Sequence, residues 1–430
     1  MNKVMKKLFF FLIICLTLFG SCKKDEPVTG VTPAMARDTL YYIMKQWYYW
    51  YNLMPTVTKA DYKDPYELLE AMRYKTLDRY SFVADYDEIN AEMAGAFVGH
   101  GFRIGLDKDS IARIVLIYKN SPLYAEGVRR GWIVKKINNV DLAPLLLDKD
   151  RTAYNNLIGA STAGVTNTFL FKKPDGTEVT ITSTKKSFTI NTVISYDTLQ
   201  LKSGMTGHIV FEKFIEPSAN ELKTAFAFFK THNVTDLILD LRYNLGGYFD
   251  IAQQLASYIA GNGKTGNVFA KIEYSDKNTG YNRSFPFIST SYSLSLPRLV
   301  VITSRMTASA SESVMNGLKP YLTVVSTGDT TDGKPTGMNA WPCGKKYWFY
   351  PVTCRIVNSL GEGDFYDGIP PDKLTSDDIT HDFDDRNEEC LKEAIRYLET
   401  GAFSGKGAEN FRRSVQFSEK PSLINNTFLK

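Results

Sequence analysis

Cysteine, histidine and excess charge are all scarce in this chain of 430 residues, which holds five cysteines, four histidines and 51 basic against 47 acidic side chains. Five cysteines are too few for a disulfide scaffold. The histidines (His100, His208, His232 and His381) are scattered, and no Cys/His cluster has metal-ligand spacing, so neither a metal nor another cofactor is expected and each histidine reads as structural. Three of the 51 basic residues lie in residues 1–21, which contain no acid, so residues 22–430 carry 48 basic against 47 acidic groups. That balance leaves no basic stripe for a nucleic-acid partner. No G-x-G-x-x-G follows any predicted strand, which disfavours a dinucleotide site. The apolar run from Leu8 to Leu18 is too short to anchor a stable membrane span.

What the first residues do have is the pattern of an export signal, with Lys3, Lys6 and Lys7 ahead of that apolar run. Leu18-Phe19-Gly20-Ser21-Cys22 then resembles the lipobox of bacterial lipoproteins, which implies cleavage after residue 21 and acylation of Cys22. An ordinary cleaved signal with an incidental cysteine is the alternative. Lys23, Lys24, Asp25 and Glu26 resemble the surface-export signal of Bacteroidetes lipoproteins, though a solvated linker reads the same way. The expected location is the outer membrane or cell surface, lipid-anchored and facing the periplasm or the exterior. Cys343 and Cys354 flank an apparent hairpin and either pair in an oxidising compartment or remain free buried thiols.

About 400 residues exceed one core, so several domains are expected. The reading is a multidomain α/β (α+β) chain: signal 1–21, linker 22–32, an N-terminal helical region 33–94, a β-rich module 95–190, an α/β core 191–400 and a polar tail 401–430. Leu40, Ile43, Met44, Trp47 and Tyr51 recur on one helix face, and a second helix is predicted near 65–77. This region is read as core packing without chemistry. The module shows short strands near 111–118, 133–137, 168–172 and 178–183 between glycine and proline turns. From residue 205 strands alternate with helices, as in a layered α/β domain.

Three segments of that core carry candidate chemistry. Thr307-Ala308-Ser309-Ala310-Ser311-Glu312 lies where a buried strand meets a helix, so unpaired helical amides surround Ser309. Ser309-x-x-Glu312 is equally a capping box. Lys334 lies in the glycine-rich loop after the next strand, within reach of Ser309 if the strands are neighbours; it acts as a base only if burial keeps it neutral, and a solvated surface lysine is the alternative. Leu239-Asp240-Leu241-Arg242-Tyr243-Asn244-Leu245-Gly246-Gly247 follows another buried strand. Gly246 or Gly247, with Ala310, are candidate amide donors to an oxyanion, against the reading of an ordinary glycine turn.

Within the module, Gly101-Phe102-Arg103-Ile104-Gly105 and the stretch from Asn120 to Asn139 resemble a PDZ domain of the bacterial protease type. Gly101, Phe102, Arg103, Ile104 and Gly105 are then the expected loop for a peptide carboxylate. The three core segments, with Leu77-Asp78-Arg79-Tyr80 and Asp367-Gly368-Ile369-Pro370-Pro371-Asp372, resemble the C-terminal processing (tail-specific) serine peptidases. That resemblance implies a ClpP/crotonase-like catalytic core, endopeptidase cleavage of unstructured or C-terminal polypeptide segments, a Ser309 nucleophile and a Lys334 base. Many members carry glutamine four residues after the lysine, where this chain has Met338, a side chain unable to hold an amine by a strong hydrogen bond. Glu312, Thr336 or Ser311 are the candidate replacements. The departure also admits a non-catalytic peptide-binding lipoprotein of the same fold.

Overall fold

The computed structural model describes residues 30–405, 411 and 416–418. The expected signal at 1–21 and the lipidation site Cys22 lie outside the described residues.

The α/β core is built on a six-stranded sheet in the order Val193–Leu201, Gly204–Phe211, Asp236–Asp240, Arg298–Thr303, Thr323–Gly328, Lys373–Leu374. All neighbours are parallel except the first pair. Parallel strands must be covered on both faces, so their residues are apolar on both sides of the pleat. Leu237, Leu239, Leu299 and Val301 face one way, onto helices Ser218–Thr231, Phe249–Ala260 and Ala310–Leu318. Ile238, Val300 and Ile302 face the other, onto Cys390, Leu391, Ala394 and Leu398 of helix Glu389–Thr400. A four-stranded antiparallel sheet, Arg283–Pro286, Val268–Tyr274, Val352–Val357 and Thr336–Met338, abuts this core.

The β-rich module is a second sheet around strands Phe102–Leu106, Ala112–Ile117, Ile133–Ile137, Thr166–Lys172 and Glu178–Thr184. Its core collects Phe102, Ile104, Ile114, Val134, Phe169 and Phe171 under helices Leu142–Leu147 and Arg151–Ile158. Phe102 to Gly105, expected to be a loop, form a strand instead, because Phe102 and Ile104 alternate into that core. Only Gly101, with φ +80°, is in a turn.

The N-terminal region is less helical than its periodicity predicts. Helix Pro33–Trp47 ends at Tyr48, so Tyr51 lies beyond it, and the second helix stops at Met72. Strand Phe82–Asp85 then pairs with Tyr347–Tyr350, which itself pairs with Trp341–Cys343. This antiparallel sheet seats Leu40, Met44 and Leu68 against Phe349 and Val352 of the core segment. Cys343 belongs to that cluster and Cys354 to the α/β core, and Cys343, Cys354 and Cys390 are all free and buried. The two cysteines therefore do not pair, because the strand bearing Cys354 turns away from the hairpin to join Val268–Tyr274.

One buried charge cluster ties these parts together. Arg242 donates to Glu388 Oε1 at 2.7 Å and Oε2 at 3.0 Å, to Asp377 Oδ1 at 3.0 Å and to Asp240 Oδ2 at 2.9 Å. Arg130 of the β-rich module reaches the same Asp377 oxygen at 3.0 Å. Tyr243 donates to Asp377 Oδ2 at 2.5 Å. Glu388 also caps helix Glu389–Thr400 through the Leu391 amide at 2.8 Å. Removing one partner of a buried pair strands the other charge, at a cost of about 3–5 kcal/mol. Glu388→Ala is therefore expected to lower the melting temperature by on the order of 10 °C, measured by thermal unfolding; a shift under about 2 °C would show that Arg242 finds other partners.

Candidate active site

Strand Arg298–Thr303 delivers the chain, through Ser304 to Ala308, to helix Ala310–Leu318, with Ser309 at the junction. Thr307 fixes the turn: its Oγ1 donates to Leu241 O at 2.8 Å and its carbonyl accepts the Asp332 amide at 2.9 Å. Ser309 is held at φ +56°, ψ −113°, a conformation that costs a residue with a Cβ of order 1–3 kcal/mol and is sustained only by its surroundings. It is partly exposed between buried Ala308 and Ala310.

Glu312 supplies much of that support. Its carboxylate, fully buried, accepts the Ser309 amide on Oε2 at 2.8 Å and the Lys334 amide on the same oxygen at 2.9 Å. Oε1 accepts Thr331 Oγ1 at 2.5 Å and the Gly333 amide at 2.8 Å. The bond from Glu312 to the Ser309 amide is one half of a capping box, so the capping and site readings of this sequence are compatible. A single oxygen atom thus brings the Ser309 junction and the Lys334 loop together. Burial pushes the Glu312 pKa up to about 7 against these hydrogen bonds.

Lys334 is 2% exposed, not the solvated lysine that base rates favour. Desolvation lowers its pKa to about 8, opposed by the charges of Asp332, Asp78 and Glu312. Burial likewise raises Asp332, to about 6. The N-terminal region, read from sequence as packing alone, completes this enclosure. The Tyr80 hydroxyl lies 2.9 Å from Asp332 Oδ2 and 2.7 Å from Gly333 O, and Lys334 Nζ stands over the Tyr80 ring at 5.2 Å from its centroid. Arg79 donates to Asp332 O at 2.6 Å. Buried Asp78 shapes the turn that presents them, accepting the amides of Tyr80 at 3.0 Å and Ser81 at 2.8 Å. Sequence reasoning does not single out Tyr80, Asp332 or Thr331; the only signal is that Tyr80 falls in the Leu77-to-Tyr80 segment of the resemblance.

Of the other candidates, Thr336 is buried with its hydroxyl unpartnered among the described residues, two positions from Lys334. Ser311 Oγ is committed to Asn244 O at 2.9 Å. Met338 packs into the N-terminal apolar cluster.

The glycine loop lies directly against Ser309. A Cβ on Gly246 would stand 2.8 Å from Ser309 Cβ and 2.9 Å from Ala308 O, so only glycine allows this approach. Asn244 locks the two together: its carbonyl accepts the Ala308 amide at 3.0 Å, and its side chain donates to Phe211 O at 2.9 Å. Its Oδ1 takes the Gly246 amide at 2.9 Å. Of the candidate donors, Gly246 is therefore occupied, while the amides of Gly247 and Ala310 meet no acceptor in the loop and turn bonds of the described residues. His100, which bonds Ser183 and Asn167, and His208, which bonds Asp384, take no part here.

Comparison with known proteins places the chain among peptidases. A model described as peptidase family S41 matches residues 205–374, and one described as the peptidase S41 N-terminal domain matches residues 36–82. A CtpA-like serine protease of Staphylococcus aureus is 26% identical over 310 residues, covering 69% of this chain and 55% of that protein. One from Staphylococcus epidermidis is 24% identical over 278 residues, covering 63% and 50%. The chain spans about half the length of the curated relatives it matches. A crystal structure described as an S41 protease from Bacteroides fragilis superposes with a TM-score of 0.71 at 22% identity, over 85% of this chain and 97% of that one, a likeness of fold.

A reaction in which Lys334 accepts a proton is expected to accelerate about tenfold per pH unit up to about 8 and then level off, because only the neutral amine is a base. Asp332→Asn removes the charge that most favours the ammonium, so the inflection moves to lower pH. A pH–rate profile of kcat/KM in both proteins checks this; an unmoved inflection would detach Asp332 from the lysine.

Proposed function

Because this chain belongs to peptidase family S41, we propose that it is a serine endopeptidase that cuts unstructured or C-terminal polypeptide segments with Ser309 as nucleophile and Lys334 as general base. The observation that carries this reading is the buried Glu312 carboxylate, whose one oxygen receives the amides of both Ser309 and Lys334.

In this mechanism neutral Lys334 takes the Ser309 hydroxyl proton as Oγ attacks the scissile carbonyl carbon. Negative charge collects on the carbonyl oxygen, which the amides of Gly247 and Ala310 receive; Gly246, committed to Asn244, instead lets the loop reach Ser309. The lysine ammonium then protonates the departing amine as the C–N bond breaks. Water, deprotonated by the same lysine, releases the acyl group from Ser309. Met338 offers no hydrogen bond to the amine, so orientation falls to the walls of its enclosure, the Tyr80 ring and the charge of Asp332.

The β-rich module is, in this reading, a PDZ-type peptide binder that takes an extended segment by strand addition along Phe102–Leu106, with Gly101 at the carboxylate end. We further place the mature protein on the outer membrane or cell surface through acylated Cys22, on the strength of the lipobox-like sequence alone; metabolic labelling with palmitate, lost in Cys22→Ala, tests it.

Ser309→Ala is expected to abolish cleavage of a disordered test protein, and Lys334→Ala to slow it by about 10²–10⁴-fold, with unfolding curves unchanged. Mass spectrometry of the fragments reads both. Full activity in either variant would end the proposal, and a wild type that binds the test protein without cutting it would leave a peptide-holding protein.

A further inference from the structure

The sheet of the β-rich module takes one more strand from the far end of the chain. Gln416–Ser418 runs antiparallel to Phe102–Leu106, pairing Gln416 with Gly105, Phe417 with Ile104 and Ser418 with Arg103. On its other side Phe102–Leu106 pairs with Ala112–Ile117. Without the tail, Phe102–Leu106 would be the sheet's edge strand, with a row of backbone donors and acceptors available to any extended chain. The direction is informative. From Gln416 to Ser418 the tail advances toward Gly101, the turn with φ +80° that opens the strand. An extended peptide whose carboxyl end pointed at that turn would lie in the same place with the same polarity.

The tail is tethered before it arrives. Lys373, at the end of the central sheet, donates to Gly405 O at 2.7 Å. Residues 406–415 join that point to Gln416. Such a short connection gives an effective concentration in the millimolar range, so even a three-residue pairing of low intrinsic affinity is populated. The strand it covers is wired to the catalytic loop. Arg103, buried on the face opposite Phe102 and Ile104, pairs with Glu212. Two residues on, Phe214 donates its amide to Gly246 O at 3.0 Å and accepts the Tyr248 amide at 2.7 Å.

We propose that the segment Gln416–Ser418 is an intramolecular occupant of the peptide-accepting edge Phe102–Leu106, so that a polypeptide substrate must displace the enzyme's own tail to dock there. This rests on the reading of the module as a strand-addition site. The tail acts as a competitive ligand with a fixed local concentration. A substrate segment engages only if its affinity for the edge exceeds what the tether gives the tail, which screens out weakly binding chains.

The test uses the full chain. Successive amides along a strand point to opposite sides, so the pair Phe417→Pro with Ser418→Pro removes whichever of these two faces the module and leaves the rest of the protein intact. In a Ser309→Ala background, which prevents cleavage, binding of a fluorescent synthetic peptide of residues 411–420 is measured by anisotropy. The double proline variant is expected to bind it at least tenfold more tightly than the chain with its own tail. In the Ser309 form, KM for a disordered protein falls with kcat unchanged. Equal peptide affinity in both proteins overturns the proposal. Absence of peptide binding in both overturns it together with the strand-addition reading of the module, while Ser309-dependent cleavage, assayed separately, continues to report on the peptidase reading. An unchanged thermal unfolding curve for the variant excludes a folding defect.

Discussion

Everything at the site depends on an acid buried beneath it. The carboxylate of Glu312 has no water to face, and it is tolerable there because four donors converge on it. Those donors come from two loops that follow two adjacent parallel strands, so satisfying one carboxylate fixes the spacing between a hydroxyl-bearing turn and an amine-bearing loop. Burial also moves the acid and the base toward neutrality together: Glu312 rises to about 7 as Lys334 falls to about 8. The strained backbone of Ser309 is the local consequence, held by the bond to its amide and by the glycine loop against its Cβ.

Rigidity at that point would mean little if the glycine loop could drift. Asn244 prevents this by spanning three segments, the strand ending at Phe211, the turn at Ala308 and its own loop. Just before it, Arg242 is anchored in a cluster of three carboxylates, one of them shared with Arg130 of the β-rich module. The module and the loop therefore meet at Asp377, and again through Arg103 and Glu212. Two separate charged contacts connect the β-rich module to the glycine loop beside Ser309.

How much of this is legible in the sequence depends on the range of the interactions. Buried parallel strands such as those holding Leu237 to Leu239 and Leu299 to Ile302 announce themselves as short apolar runs, and the glycine, serine and lysine segments follow strands of this sheet, so the core and its candidate site residues can be read directly. Tyr80 cannot. Its partner Asp332 is 252 positions away, and no periodicity within 33–94 encodes that meeting. The stretch from Gly101 to Gly105 misleads because its glycines suggest a loop, while the alternation of Phe102 and Ile104 is too brief to register as a strand. Whether Cys343 and Cys354 pair is open in the sequence and is decided only by the second strand, which joins a different sheet. The tail strand, three residues in a polar stretch, has no pattern to detect; its identity comes wholly from the edge it covers.

The packing of the N-terminal region over Lys334 makes the environment of that amine depend on a segment far earlier in the chain. A chain in which only the α/β core had formed would leave Lys334 more open to water, since part of the wall around it comes from residues 78–81 and their seat against Phe349 and Val352. The dry setting of the Lys334 amine is therefore a property of two chain regions packed together and not of the α/β core by itself.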